Sequence, residues 1–154
     1  PETIAGRRIG VLLTDGSDAN LLNALTKKAR AEKAVIEVVA IKPGGVTLGN
    51  GAPRTADHFL RGAPSAIFNS VVLAPSAEGA TELLTVAASV DWLRMAFAHL
   101  KVIGYTLEAL PLFEAGNIDP NADGGVVLLK GTKVTPYIDA AKRYRIWERE
   151  PQVR

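Results

Sequence analysis

Cysteine is absent from this 154-residue chain. That absence excludes disulfides, thiolate metal sites and every cysteine nucleophile at once. Histidine is scarce too, and His58 and His99 show no metal-ligand spacing. Charge of one sign is missing: 18 basic residues face 16 acidic ones, for a formal net charge of +2. So small an excess gives no reason to expect nucleic acid as a partner. No apolar run approaches the length of a membrane span, and no amino-terminal signal segment is visible. No membrane partner is therefore expected, and nothing indicates a compartment.

What is present is an ordinary core-forming composition, with 47% hydrophobic and 22% charged residues. The length suits one domain spanning residues 1–154. The opening PETIAGRRIG reads as the edge of an excised domain, with about residues 1–6 a linker remnant. Arg8 to Thr14, Ala34 to Ile41, Ser70 to Ala74, Lys101 to Tyr105 and Val126 to Leu129 are apolar runs, as strands buried on both faces should be. Helical patterns stand between them. Ser17 or Asp18 caps the first. The long pattern over residues 80–99 has room for a break into two helices. Leu107 to Ala115 is stopped by Gly116-Asn117, and Thr135-Pro136 starts a last helix running to about Trp147. Asn50-Gly51 marks a small hairpin, followed by a loop-rich segment through Pro64. Strand–helix alternation of this kind predicts an α/β, flavodoxin-like three-layer sandwich with a mainly parallel sheet in the order 2-1-3-4-5.

Functional groups in such a sheet gather at the carboxyl ends of the strands. LKVIGYTLEAL has the outline of a strand, a sharp turn and a helix, but Gly104, Tyr105 and Thr106 occupy the turn where a nucleophile would sit. Ser76 is a weak nucleophile candidate, with His58 or His99 as base and Asp15 nearby. Pro75 and Ala77 do not permit a strained elbow, so a helix cap accounts better for Ser76. TDGSDAN carries two acids that would repel phosphate. PGGVTLGNG lacks the lysine of a P-loop. Asp119 and Asp123 are wrongly spaced for a calcium loop. The end AAKRYRIWEREPQVR mixes cations with Tyr144 and Trp147, but Glu148 and Glu150 interleave. It reads as a solvated helix or docking surface, with one aromatic turned to the sheet. No catalytic set, cofactor site or metal site is expected from these residues.

Three ordered stretches carry a resemblance: RIGVLLTDGSDA, ADHFLRGAPSAIFNSVVLAPSAEGA and VDWLRMAFAHLKVIGYTLEALPLFEAGN. From about Arg7 to Leu129 the chain resembles the carboxyl-terminal domain of large-subunit haem catalases, most specifically in AFAHLKVIGYT. That domain is similar to the class I glutamine amidotransferase-like superfamily, which includes PfpI-type proteases and chaperones. The resemblance implies a flavodoxin-like fold. It also implies a tetrameric parent that converts hydrogen peroxide to water and oxygen, with its haem in the preceding core domains. It places Gly104 at or next to the position of the relatives' reactive cysteine, so that Gly104, Tyr105 and Thr106 form a vestigial elbow, with the latter two filling and capping the turn. The relatives' acidic partner falls near Asp15 or Asp18. The implied roles are stabilising the parent and holding unfolded client proteins. The alternative is a degenerate PfpI-type hydrolase using Ser76, His99 and Asp15, or a small-ligand or flavin-binding module.

Overall fold

The computed structural model describes residues 3–153. Its strands are β1 (Arg8–Leu12), β2 (Val35–Ala40), β3 (Val46–Thr47), β4 (Pro53–Arg54), β5 (His58–Phe59), β6 (Ser70–Leu73), β7 (Ile103–Tyr105) and β8 (Val126–Leu128). The helices are α1 (Ala19–Ala31), α2 (Ala77–Leu84), α3 (Ala87–Ala98), α4 (Leu110–Ala115), α5 (Thr135–Ala141) and α6 (Glu150–Val153). One sheet runs β5-β2-β1-β6-β7-β8 with every pairing parallel. Its five principal strands follow the expected order 2-1-3-4-5, and β3 pairs antiparallel with β4 around Asn50-Gly51.

Because side chains alternate across a strand, β1 feeds two cores. Ile9, Val11 and Leu13 pack with Leu22 and Leu25 of α1 and Tyr137 and Ile138 of α5. Leu12 points to the other face and packs with Leu83 of α2, Trp92 and Leu93 of α3, and Leu112 and Phe113 of α4. The apolar strands read from the sequence are the middle of three layers.

The fold departs from expectation at the sheet edge, after Ala141 and at the amino terminus. Strand β5 was not anticipated; its two residues extend the sheet beyond β2 because the Asp57 carboxylate accepts from Val38 N at 2.7 Å and holds the chain against that edge. The helix that starts at Thr135 stops at Ala141 rather than Trp147. Tyr144 turns into the left-handed region at φ 69°, and the chain leaves the helix so that Ile146 N can donate to Leu100 O at 2.8 Å and bury its side chain completely. Trp147 is consequently 67% exposed rather than packed on the sheet. Finally, the packed structure begins before Arg7. Ile4 is buried in the core and Gly6 N donates to Lys33 O, while the first two residues of the expected linker lie outside the described residues.

Candidate functional site

Between β1 and β6 the chain connections leave the sheet in opposite directions, and a cleft of about 630 Å³ opens there at the strands' carboxyl ends. Such a switch point is where ligands bind in open α/β sheets. Asp18 of the β1–α1 turn, Ser76 before α2, Thr106 after β7 and Lys130 after β8 all line it. Asp18 caps α1, its carboxylate accepting from Asn20 N at 2.8 Å and Leu21 N at 3.1 Å. Ser17 stitches the floor instead: its hydroxyl donates to Ala74 O at 2.7 Å and accepts from Thr14 N at 3.0 Å.

Ser76 is the cap of α2. Its hydroxyl accepts from Gly79 N at 2.9 Å and donates to Asp15 O at 2.6 Å. The proton a nucleophile would give to a base is held by a backbone carbonyl. Gly79 is required here, since a Cβ would lie 1.8 Å from Thr14 Oγ1. The Asp15 side chain turns away from Ser76. It accepts from Lys42 Nζ at 2.8 Å and Thr47 N at 2.9 Å, and these bonds, the lysine's foremost, hold its pKa below the usual carboxylate value.

His99 is the carboxyl-terminal cap of α3, just before β7 begins, whereas Ser76 follows the end of β6. In a parallel sheet those are opposite edges, so the serine and this histidine are not brought together. His58 is occupied as well, with its Nε2 2.6 Å from Glu37 Oε1. Glu37 also accepts from Arg8 Nη2 at 2.9 Å. The Arg8 hydrogen bond, with a smaller contribution from His58 and against the opposing effect of burial, brings Glu37 down to about 2. This Arg8–Glu37–His58 group was not singled out in the sequence, because its members come from three strands.

Gly104 does not stand on the turn. It pairs with Val72 and Val127 inside the sheet, and a Cβ there would meet Tyr137 Cδ1 at 2.7 Å. Tyr105 closes the strand, packing its ring on Phe113 at 4.8 Å. The turn itself belongs to Thr106, whose φ of −92° and ψ of 161° are plain extended values. Thr106 was expected to cap the turn, and its carbonyl does accept from Ala109 N. Its side chain makes no cap bond, and Thr106 Oγ1 is buried without any hydrogen-bond partner.

The faint calcium loop resolves into two local structures. Asp119 accepts from Asn121 N at 2.8 Å, while Asp123 receives Arg149 Nε at 2.8 Å and Nη2 at 3.0 Å. Burial, the largest single effect, pushes the Asp123 carboxyl up, but the Arg149 bonds and charge, the Gly125 N–H and the Arg143 charge together make the net shift downward. Among the described residues there is no group of three or more His, Cys, Asp or Glu side chains arranged to hold a metal ion.

The fold is a doubly wound α/β domain. Oxidized DJ-1 of Toxoplasma gondii superposes with a TM-score of 0.69, covering 96% of this chain and 94% of its own at 13% identity. That likeness concerns the fold alone. Residues 5–151 match the family described as the C-terminal domain found in long catalases, and the chain belongs to that family. Catalase C of Rhizobium meliloti is 40% identical across the whole chain, which covers 22% of that relative. Catalase-1 of Neurospora crassa is 29% identical over 91% of the chain and 20% of its own length. The chain thus spans about a fifth of the catalases it matches.

Proposed function

We propose that this chain is the non-catalytic carboxyl-terminal domain of a larger haem catalase, which it stabilises by docking on the core domains of a tetrameric parent. The observation that carries this reading is the family match over residues 5–151, together with relatives about five times longer that are themselves catalases. A surface that docks only on the folded core adds its binding free energy to that core's stability.

None of the chain's three tyrosines is placed to hold a haem. Tyr137 is wholly buried and donates to Ser70 Oγ at 2.7 Å, with burial holding its proton on more firmly. Tyr105 is walled into the core against Phe113, and the Tyr144 ring is stacked with Arg7 and Arg145. The haem of the proposed parent is therefore assigned to its remaining domains. Removing this region from the parent is expected to leave peroxide turnover per haem unchanged and to hasten inactivation on heating.

A second reading, a holding chaperone, would draw on the large apolar side chains left on the surface, Trp147 at 67%, Leu107 at 58% and Val35 at 51% exposure, of which Val35 and Leu107 lie at opposite ends of the sheet. The check is light scattering from a heated client enzyme mixed with equimolar chain. Suppressed scattering supports the reading, and scattering equal to that with an inert protein rejects it.

A further inference from the structure

The carboxyl-terminal segment pairs most of its cations with carboxylates. Lys142 meets Glu32 at 3.1 Å, Arg143 meets Glu148 at 2.7 Å, and Arg149 meets Asp123. Three neighbouring cations differ. Arg7, Lys101 and Arg145 have no carboxylate within ion-pair distance among the described residues, although none of them is fully exposed and Lys101 is buried. Exposed lysines elsewhere on the surface are hydrated and need no counter-ion; a half-buried cation without one is costly.

Arg7 and Arg145 share one aromatic ring, and Lys101 stands beside the segment that carries Arg145. The guanidinium carbons of Arg7 and Arg145 lie 4.6 Å and 4.7 Å from the centroid of the same Tyr144 ring. The turn at Tyr144, with its positive φ, presents that ring to both arginines. Arg145 Nη1 donates to His99 O, two residues before Lys101, and Ile146 N donates to Leu100 O, which keeps Arg145 beside the lysine. Burial first, and then the nearby Arg145 charge, lower the Lys101 pKa. A guanidinium offers five N–H donors. Arg7 gives one to Ala141 O and Arg145 gives one each to His99 O and Tyr144 Oη. Among the described residues, most of the fork on each arginine is left without a protein acceptor.

From this arrangement we infer that Arg7 and Arg145, both on the Tyr144 ring, with Lys101 next to the segment that Arg145 and Ile146 bond, form an oxyanion-binding site at the amino-terminal edge of the sheet, opposite the cleft. Planar guanidinium forks and an ammonium match the oxygens of a phosphoryl or carboxylate group. A bound oxyanion would offset like charges that are partly out of water. The oxyanion has two possible sources: a free phosphoryl anion, or a carboxylate presented by another segment of protein.

The test is titration of the chain with inorganic phosphate and, separately, with acetate at constant ionic strength. Phosphorus line width and backbone amide shifts of residues 99–101 and 144–146 report binding. Saturable binding of either anion, weakened at least tenfold in Arg145→Gln, is the expected result. Phosphate alone points to a phosphoryl ligand, and acetate as well points to a protein carboxylate. Arg7→Gln, on a different segment, gives the same loss if the cluster acts as a unit, and circular dichroism of both variants confirms folding. Binding of neither anion, or equal binding in the wild-type and variant chains, overturns the inference.

Discussion

Thr106 is where the chain keeps a cost with no visible return in its own fold. Its hydroxyl is buried without a partner, a condition worth about 1–3 kcal/mol against the folded state. Valine has the same shape without the hydroxyl, so Thr106→Val is expected to raise the unfolding free energy by about 1 kcal/mol in urea denaturation. An unchanged or lowered value would mean that the hydroxyl is satisfied in solution. The sequence pointed to this turn from strand–helix alternation alone, but it put the emphasis on Gly104. What separates the two residues is tertiary: the space beside Gly104 is taken by the Tyr137 ring arriving from α5, and no local pattern announces that. Ser76, by contrast, was legible, since a cap depends only on the residues that follow it.

At the scale of elements, the apolar strands and their order were readable because burial on both faces leaves little choice of residue. Strand β5 and the end of α5 were not. The first is placed by side chains, Asp57 on Val38 N and His58 on Glu37, and carries no apolar run. In the second, helical spacing continues past Ala141, yet the chain leaves the helix there and buries Ile146 and Arg149. Arg149 is fully buried. It binds both oxygens of Asp123, donates to Phe97 O at 3.1 Å and Lys101 O at 2.8 Å, and lies over the Phe97 ring. Arg149→Met leaves Asp123 buried without its partner and is expected to cost about 3–5 kcal/mol in denaturant unfolding. Asp123→Leu added to it is expected to recover part of that loss, because no unpaired charge then remains. If Arg149→Met costs less than about 1 kcal/mol, the pair behaves as a surface bridge and this account of the segment fails.

For the whole molecule, fold and family converge on a domain whose cleft has the position of an active site while Asp18 and Ser76 there are bonded to the backbone around them. Asp18 and Ser76 are engaged in capping, Asp15 in holding the β3–β4 hairpin, and His99 lies at the other edge of the sheet. A domain built this way can contribute to a larger catalase through its surface without taking part in peroxide chemistry. The most direct measurement is made on the parent, with and without the region corresponding to residues 5–151: peroxide turnover per haem, and the half-life of that activity on heating. The account predicts equal turnover and a shorter half-life for the shortened protein. Turnover per haem that falls on removal of the region, or a half-life that does not change, would contradict it.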